Sequence, residues 1–306
     1  MDGLLVIDKP AGPTSHDVVA RMRRALGERR IGHTGTLDPA ATGVLPLVIG
    51  RATRLARFLS AGDKSYLATI RLGVRTDTAD ATGQPIGERY SGPMPSRRSI
   101  DAALDAFRGI FVQQPPAFSA KRIAGTRSYA LARAAARRQA RTAGCVPESP
   151  TLPAPVTVNA DALNVIAIDG DTLAIEVQCS AGFYVRALAR DLGERLGTGA
   201  HLAALRRTRS GDVGLDQAIG LEEAERDPAR AAAAVTPLAR LLPHMPSVVL
   251  TEEGVSDALH GRTLEAAALG PVPNGFVRLL GPAGELVGIA APGEAPGSLH
   301  PEVVLM

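Results

Sequence analysis

The chain has 306 residues, 45% of them hydrophobic, enough for one large domain or for one domain with a small second one. No apolar run approaches membrane-spanning length, and the N-terminus, MDGLLVIDKPAG, lacks the basic start and small-residue cleavage site of a signal peptide. A cytoplasmic location is expected, and two well-separated cysteines, Cys145 and Cys179, fit a reducing compartment and give no zinc-ligand spacing.

The net charge of +3 is small but unevenly spread. From Met245 onward there are seven acids and two bases; a tail of −5 in a chain of +3 leaves +8 on residues 1–244. Arginines gather in RMRRALGERR, RATRLAR, RAAARRQAR and LRRTR. A basic body with an acidic tail is the asymmetry of a polyanion binder, although solvated arginine-rich helix faces give the same composition. Arginine has displaced lysine except at Lys9, Lys64 and Lys121. A compact ammonium and a forked guanidinium are not interchangeable at constrained sites, so these lysines are candidates for such sites.

Taken in chain order, Gly3 to Asp8 reads as a strand, and Thr14 or Ser15 can cap a helix that runs to about Gly27. An unbroken apolar run, Val44 to Ile49, reads as a buried strand, RATRLARFLSAG as a short helix and SYLATIRLGV as an alternating strand. SIDAALDAFRG is a helix opened by Ser99 and closed by Gly109, and SYALARAAARRQAR is a helix without internal glycine or proline. The proline-containing CVPESPTLPAPV is a loop; TVNADALNVIAI and TLAIEVQC are strands joined by the turn DGD. FYVRALARDLGERLG is an amphipathic helix with Val185, Leu188, Leu192 and Leu196 on one side. Near Leu241–Ser247 the composition turns acidic and Gly/Pro-rich, and GFVRLLGPAGELVGIAA reads as a hairpin. This implies a domain over residues 1–244 and a small β-rich appendage over 245–306. Strands and helices alternate without a βαβ rhythm, so the expected class is α+β with a mixed sheet and flanking helices.

Between the first helix and the buried strand lies GHTGTLDPAATG, a loop of small residues with one carboxylate, Asp38. One reading is local: Asp38 at an N-cap, Pro39 at N1 and Gly43 as terminator of a single turn. The other is chemical: a carboxylate held by backbone N–H groups stays ionised, as a nucleophile or general base must. The two are compatible. Such an acid needs a cationic partner. In the helix after Tyr184, Arg190 has Glu194 four residues on and Arg195 has Asp191 four residues back, whereas Arg186 faces Arg190 and has no acid at either helical spacing C-terminal to it. Arg186 is the candidate partner, and a bidentate pair would fix Asp38. Tyr66 and Tyr184 end apolar segments near these residues and could wall a base lifted from a nucleic acid; half-buried strand tyrosines are the structural alternative. Asp77 and Asp80 of TDTADATG read as Asx-turn residues, and without a G-x-x-x-x-G-K-[ST] loop they give no phosphoryl-transfer site.

Six ordered segments carry a family likeness: GLLVIDKPAGPTSHDVV, IGHTGTLDPAATGVLPLVIGRATRL, DKSYLATIRLGVRTDTADATG, QQPPAFSAKRIAGTRSYALAR, CSAGFYVRALARDLGERLG and LAALRRTRSG. Together they resemble the TruB family of tRNA pseudouridine synthases over most of residues 3 to 211. The resemblance implies the pseudouridine synthase fold, a long mixed sheet with flanking helices, and a PUA-like C-terminal domain. It implies isomerisation of one uridine in the T-loop of tRNA, with no cofactor, no metal and no obligatory protein partner. Asp38 matches the nucleophile, with attack at C6 of the base or C1′ of the ribose left open. Tyr66 matches the tyrosine packed on the flipped base, and Arg186 the partner of the nucleophile. Tyr184 and Leu205 match positions lining the base pocket, His33 a histidine at the displaced nucleotide, and Lys9 with Pro10 a segment packed beneath the site. Residues 134–155 do not align with the family pattern. A monomer is the default, since no coiled-coil heptad occurs. The acidic tail is a poor footprint for RNA, so deletion after Pro246 is expected to weaken tRNA binding less than neutralising Arg206 and Arg207.

Overall fold

A computed structural model of the chain describes residues 1–118, 122–123, 126–127, 152–265 and 275–305. The expected helix over residues 128–141, Lys121, Cys145 and most of the 134–155 stretch lie outside the described residues. The principal strands are β1 (Gly3–Lys9), β2 (Ile31–His33), β3 (Thr42–Ile49), β4 (Lys64–Leu72), β5 (Gly109–Gln113), β6 (Val156–Asp169), β7 (Thr172–Cys179), β8 (Ala200–Ser210), β9 (Ser247–Val249), β10 (Val277–Leu280), β11 (Leu286–Pro292) and β12 (Leu299–Val304). The principal helices are α1 (Ser15–Leu26), α2 (Arg97–Leu104), α3 (Val185–Arg195) and α4 (Glu252–Leu259). Among the described residues the main sheet is mixed and eleven-stranded, and a separate four-stranded sheet runs β9-β10-β11-β12.

The chain forms two compact units. One comprises Met1–Leu37, Val44–Ala61 and Asp212–Met306, the other Asp38–Gly43 and Gly62–Gly211. In the first, α1 begins at a capping box: the Thr14 hydroxyl accepts from the Asp17 N–H (3.1 Å) while the Asp17 carboxylate accepts from the Thr14 N–H (2.8 Å). Gly27, left-handed at φ 64°, ends it. Thr14 rather than Ser15 is thus the cap, because the Ser15 hydroxyl is engaged with the backbone of Leu37. The four-stranded sheet begins at Ser247, close to the compositional change. It is no detached appendage, however. Leu286, Ile289 and Leu305 share one core with Leu4, Val6, Val44, Val48, Ala52 and Leu55. Hydropathy at Leu4 or Leu286 cannot tell which apolar faces will meet.

The second unit carries the order β8-β4-β7-β6-β5, with every neighbouring pair antiparallel. The start of β3 adds a parallel step: Thr42 and Gly43 pair with Arg206 and Arg207. Alternate residues of β4 (Tyr66, Ala68, Ile70, Leu72) face a core completed by Leu188, Ala189 and Leu192 of α3. Gly193 lets α3 approach closely, since a Cβ there would lie 2.2 Å from the Ala200 nitrogen. Helix α2 opens at Ser96, not Ser99: the Ser96 hydroxyl accepts from the Ser99 N–H, and Arg97, inside the first turn, pairs with Asp101 one turn on (2.8 Å). The segment closes through a short 3₁₀ turn, Asp105–Phe107.

Candidate active site

Asp38 opens the loop segment that precedes β3. No helix begins there among the described residues; its carbonyl closes one turn by accepting from the Ala41 N–H (3.0 Å), and its side chain points elsewhere. Asp38 Oδ2 lies 2.9 Å from Arg186 Nε. The capping alternative is therefore set aside, and the partner inferred from missing helical acids is the one observed.

Arg186 sits in the first turn of α3, its side chain 8% exposed, whereas that of Asp38 is 45% exposed. Each edge of the guanidinium is engaged. Nη2 donates to the Phe118 carbonyl (2.7 Å), Nη1 donates to the Thr78 carbonyl (3.3 Å), and Nη1 lies 3.6 Å from Asp80 Oδ2. A planar, fully held fork presents its remaining N–H to one wet carboxylate oxygen. An ion pair that water reaches contributes about 1 kcal/mol or less to stability. Stability alone gives no reason for this arrangement; it leaves a positioned, accessible carboxylate.

Two supports for Arg186 are not legible in sequence. Asp80 is an Asx-turn residue as expected, accepting from the Thr82 N–H (2.9 Å) and the Thr78 and Thr82 hydroxyls at Oδ1, yet its second oxygen turns to Arg186. Gln113, buried at the end of β5, holds the entry to α3: Nε2 donates to the Tyr184 carbonyl (3.1 Å) and Oε1 accepts from the Tyr184 N–H (2.8 Å). Tyr184 is the N-cap of α3 and has no capping side chain, so Gln113 supplies that order from a strand. Arg190 pairs with the adjacent Asp191 (2.7 Å), not with Glu194, and its Nη2 donates to the Gln114 carbonyl.

Tyr66 is buried on β4, with Arg207 of β8 directly opposite and its charge acting on the phenol. Burial pushes the phenol above its ordinary value, and Arg207 only partly offsets this, so Tyr66 is a neutral phenol at physiological pH. Arg207 is 1% exposed. This corrects its assignment to the RNA-facing charges: successive strand residues point to opposite faces, so Arg206 and Arg207 cannot share a surface. Leu205 is half-buried on β8, opposite Ala68, and Tyr184 is half-buried.

Lys9 and His33 belong to the first unit. Lys9 is fully buried and donates to the Pro10 carbonyl (2.8 Å); His33 packs edge-on against His16, ring centroids 5.3 Å apart. Lys64 is buried too, so both retained lysines that are described lie out of solvent. Burial lowers the Lys64 ammonium, helped by the charge of Arg207. Cys179, paired with Lys64 across β7 and β4, is pushed up to about 12 by burial, as a structural thiol is. Among the described residues no group of three or more His, Cys, Asp or Glu side chains could hold a metal ion, and no helix is long and apolar enough to cross a membrane.

Solved structures agree in fold: a chain in an H/ACA RNP bound to a substrate RNA containing 2′-deoxyuridine superposes with a TM-score of 0.73 at 25% identity, over 99% of this chain and 85% of that one. A chain in a Cbf5-Nop10-Gar1 complex gives 0.72 at 26% identity, over 99% and 85%. The model of the TruB family pseudouridylate synthase N-terminal domain matches residues 23–185, and that of the tRNA pseudouridylate synthase B C-terminal domain matches residues 186–248. The tRNA pseudouridine synthase B of Solibacter usitatus (strain Ellin6076) is 42% identical over 310 residues, covering 100% of both chains. That of Gloeobacter violaceus is 50% identical over 228 residues, 74% of this chain and 73% of the relative. The chain belongs to the TruB family of pseudouridine synthases.

Proposed function

We propose that the protein isomerises a specific uridine in the T-loop of tRNA to pseudouridine, with Asp38 as nucleophile on a flipped-out nucleotide. One observation carries the reading: the Asp38 carboxylate is half exposed yet fixed at 2.9 Å by a buried guanidinium. The names of the relatives supply tRNA as the substrate class.

The chemistry needs little more than such an acid. An Asp38 oxygen either adds to C6 of the uracil, moving charge onto the ring, or displaces the uracil from C1′, leaving an ester and a uracil anion. In both routes the N1–C1′ bond breaks, the ring turns and C5 bonds to C1′. The proton on C5 is lost, N1 gains one, and the carboxylate is released. The product is an isomer, so no oxidant or co-substrate enters. Because the fragment must rejoin the same sugar, drift of a fraction of an ångström in the acid is damaging, and water must be kept from the intermediate. Arg186 limits the drift, and Tyr66, a buried neutral ring, serves as a wall for the base. Tyr184 and Leu205 line the base pocket, and His33 meets the RNA where the nucleotide is displaced. Residues 245–306 act as a PUA-like part. The protein works in the cytoplasm as a monomer and needs no metal or cofactor.

The test is purified protein with a T-stem-loop transcript carrying 5-tritiated uridine and no added guide RNA. Tritium release by the native chain, and none by Asp38→Asn with RNA still bound on filters, is the expected result. Release by Asp38→Asn would remove the acid from the mechanism.

A further inference from the structure

The second unit buries a second guanidinium that this chemistry does not yet use. Arg207 stands directly opposite Tyr66 across β8 and β4, 1% exposed, with its charge acting on the phenol. Directly opposed side chains on one sheet face are in contact range, so the pairing is built into the register. Tyr66 also feels the charge of Asp38. The phenol therefore lies in the fields of both a buried cation and the proposed nucleophile. The backbone of Arg207 also pairs with Gly43, near the start of β3 and five residues after Asp38. A guanidinium is costly to bury, and which groups it acts on decides what the burial achieves.

Its chemistry suggests a role. Arginine has donors only, so toward Arg207 the Tyr66 oxygen can only accept, which turns the phenol hydrogen away from it. A hydrogen bond donated into the oxygen makes the O–H a stronger donor in turn. In either route above, the uracil takes on negative charge. We infer that Arg207 is a positioning residue for Tyr66: it fixes the ring and the direction of its hydroxyl hydrogen, and so backs the uracil with a strengthened donor as the ring becomes anionic. The inference rests on the reading of Asp38 as nucleophile.

A double-mutant cycle tests it, using single-turnover tritium release from the T-stem-loop transcript and filter binding for Kd. Arg207→Met should slow release about ten- to a hundredfold while Kd stays within about twofold. Arg207→Lys, which keeps the charge and loses the fork, should recover part of the rate. In a Tyr66→Phe background, Arg207→Met should slow release by less than about twofold, because the group it acts through is gone. A merely structural arginine would slow both backgrounds equally; that result, or an unchanged rate in Arg207→Met, overturns the inference. Should Arg207→Met lose its fold by circular dichroism, Arg207→Lys carries the same cycle, with a slowing confined to the Tyr66 background supporting the inference and an equal slowing in both overturning it. Turnover by Asp38→Asn in parallel would instead sink the nucleophile reading, so the two failures are distinguishable.

Discussion

Gly43→Ala probes how Asp38, the proposed nucleophile, is held. Gly43 has φ 99°, which an alanine reaches only with strain of about 1–3 kcal/mol. Its Cβ would stand 2.1 Å from the Arg207 carbonyl oxygen and 2.9 Å from the Arg207 nitrogen, both backbone atoms of a paired strand. A carbon–oxygen contact needs about 3.3 Å, so the strand start must retreat by about 1 Å. That movement breaks the pairing of Thr42 and Gly43 with Arg206 and Arg207. Strain and lost pairing together should cost about 3 kcal/mol, or about 5–10 °C in Tm. Asp38 lies five residues upstream in the same loop segment, so a similar shift should carry it off the guanidinium, and a 1 Å misplacement of a reacting group costs about a hundredfold in rate. Thermal melting and single-turnover tritium release read the two effects. An alanine variant with native Tm and native rate would show that this strand junction does not hold Asp38.

Asp38→Asn should abolish turnover while leaving Tm within about 2 °C, because Arg186 retains Asp80 and the Thr78 and Phe118 carbonyls and the lost pair is half exposed; thermal melting beside the activity assay decides it. Cys179 ionises near 9 when unfolded and at about 12 when folded. Between those values the unfolded chain binds fewer protons, so this thiol adds stability that is fully present below pH 9 and is lost as pH rises toward about 12. The alkaline limb of a denaturation series should accordingly be flatter in Cys179→Ala than in the native chain. Truncation after Pro246 removes Leu286, Ile289 and Leu305 from the core they share with Leu4, Val6 and Val44. At about 1.5–3 kcal/mol per buried side chain, that approaches the stability of a typical domain. The truncated chain should be protease-sensitive by limited proteolysis, in contrast to a mere weakening of RNA binding. Of the two adjacent arginines on β8, Arg206→Gln should change the salt dependence of RNA binding measured on filters, while Arg207→Gln should change only the rate.

The site is unevenly legible in the sequence. Asp38 stands out because one acid among small residues precedes a buried strand, and Arg186 because its helix offers it no acid. Both are inferences from short range, where composition and helical spacing carry information. Asp80 reads only as a turn residue, since its Oδ1 does make a local turn and nothing in TDTADATG marks the oxygen left over. Gln113 escapes notice because a glutamine that caps a helix from 71 residues away leaves no local signature. Arg207 looks like a surface charge because LRRTR is basic as a block, whereas a strand sends neighbours to opposite faces.

The sequence by itself determined the elements whose causes are local: the Thr14 capping box and Gly27 stop of α1, the alternating β4, the amphipathic α3, the hairpin around Gly281–Glu285, and the acid with its candidate partner. Tertiary structure alone decided which faces met. It brought Arg186 to Asp38, set Arg207 behind Tyr66, and joined the C-terminal sheet to the core of the N-terminal segment. The reason is physical: caps, turns and periodicity act within a few residues, whereas strand register and core packing are settled only when distant segments compete for the same buried surface.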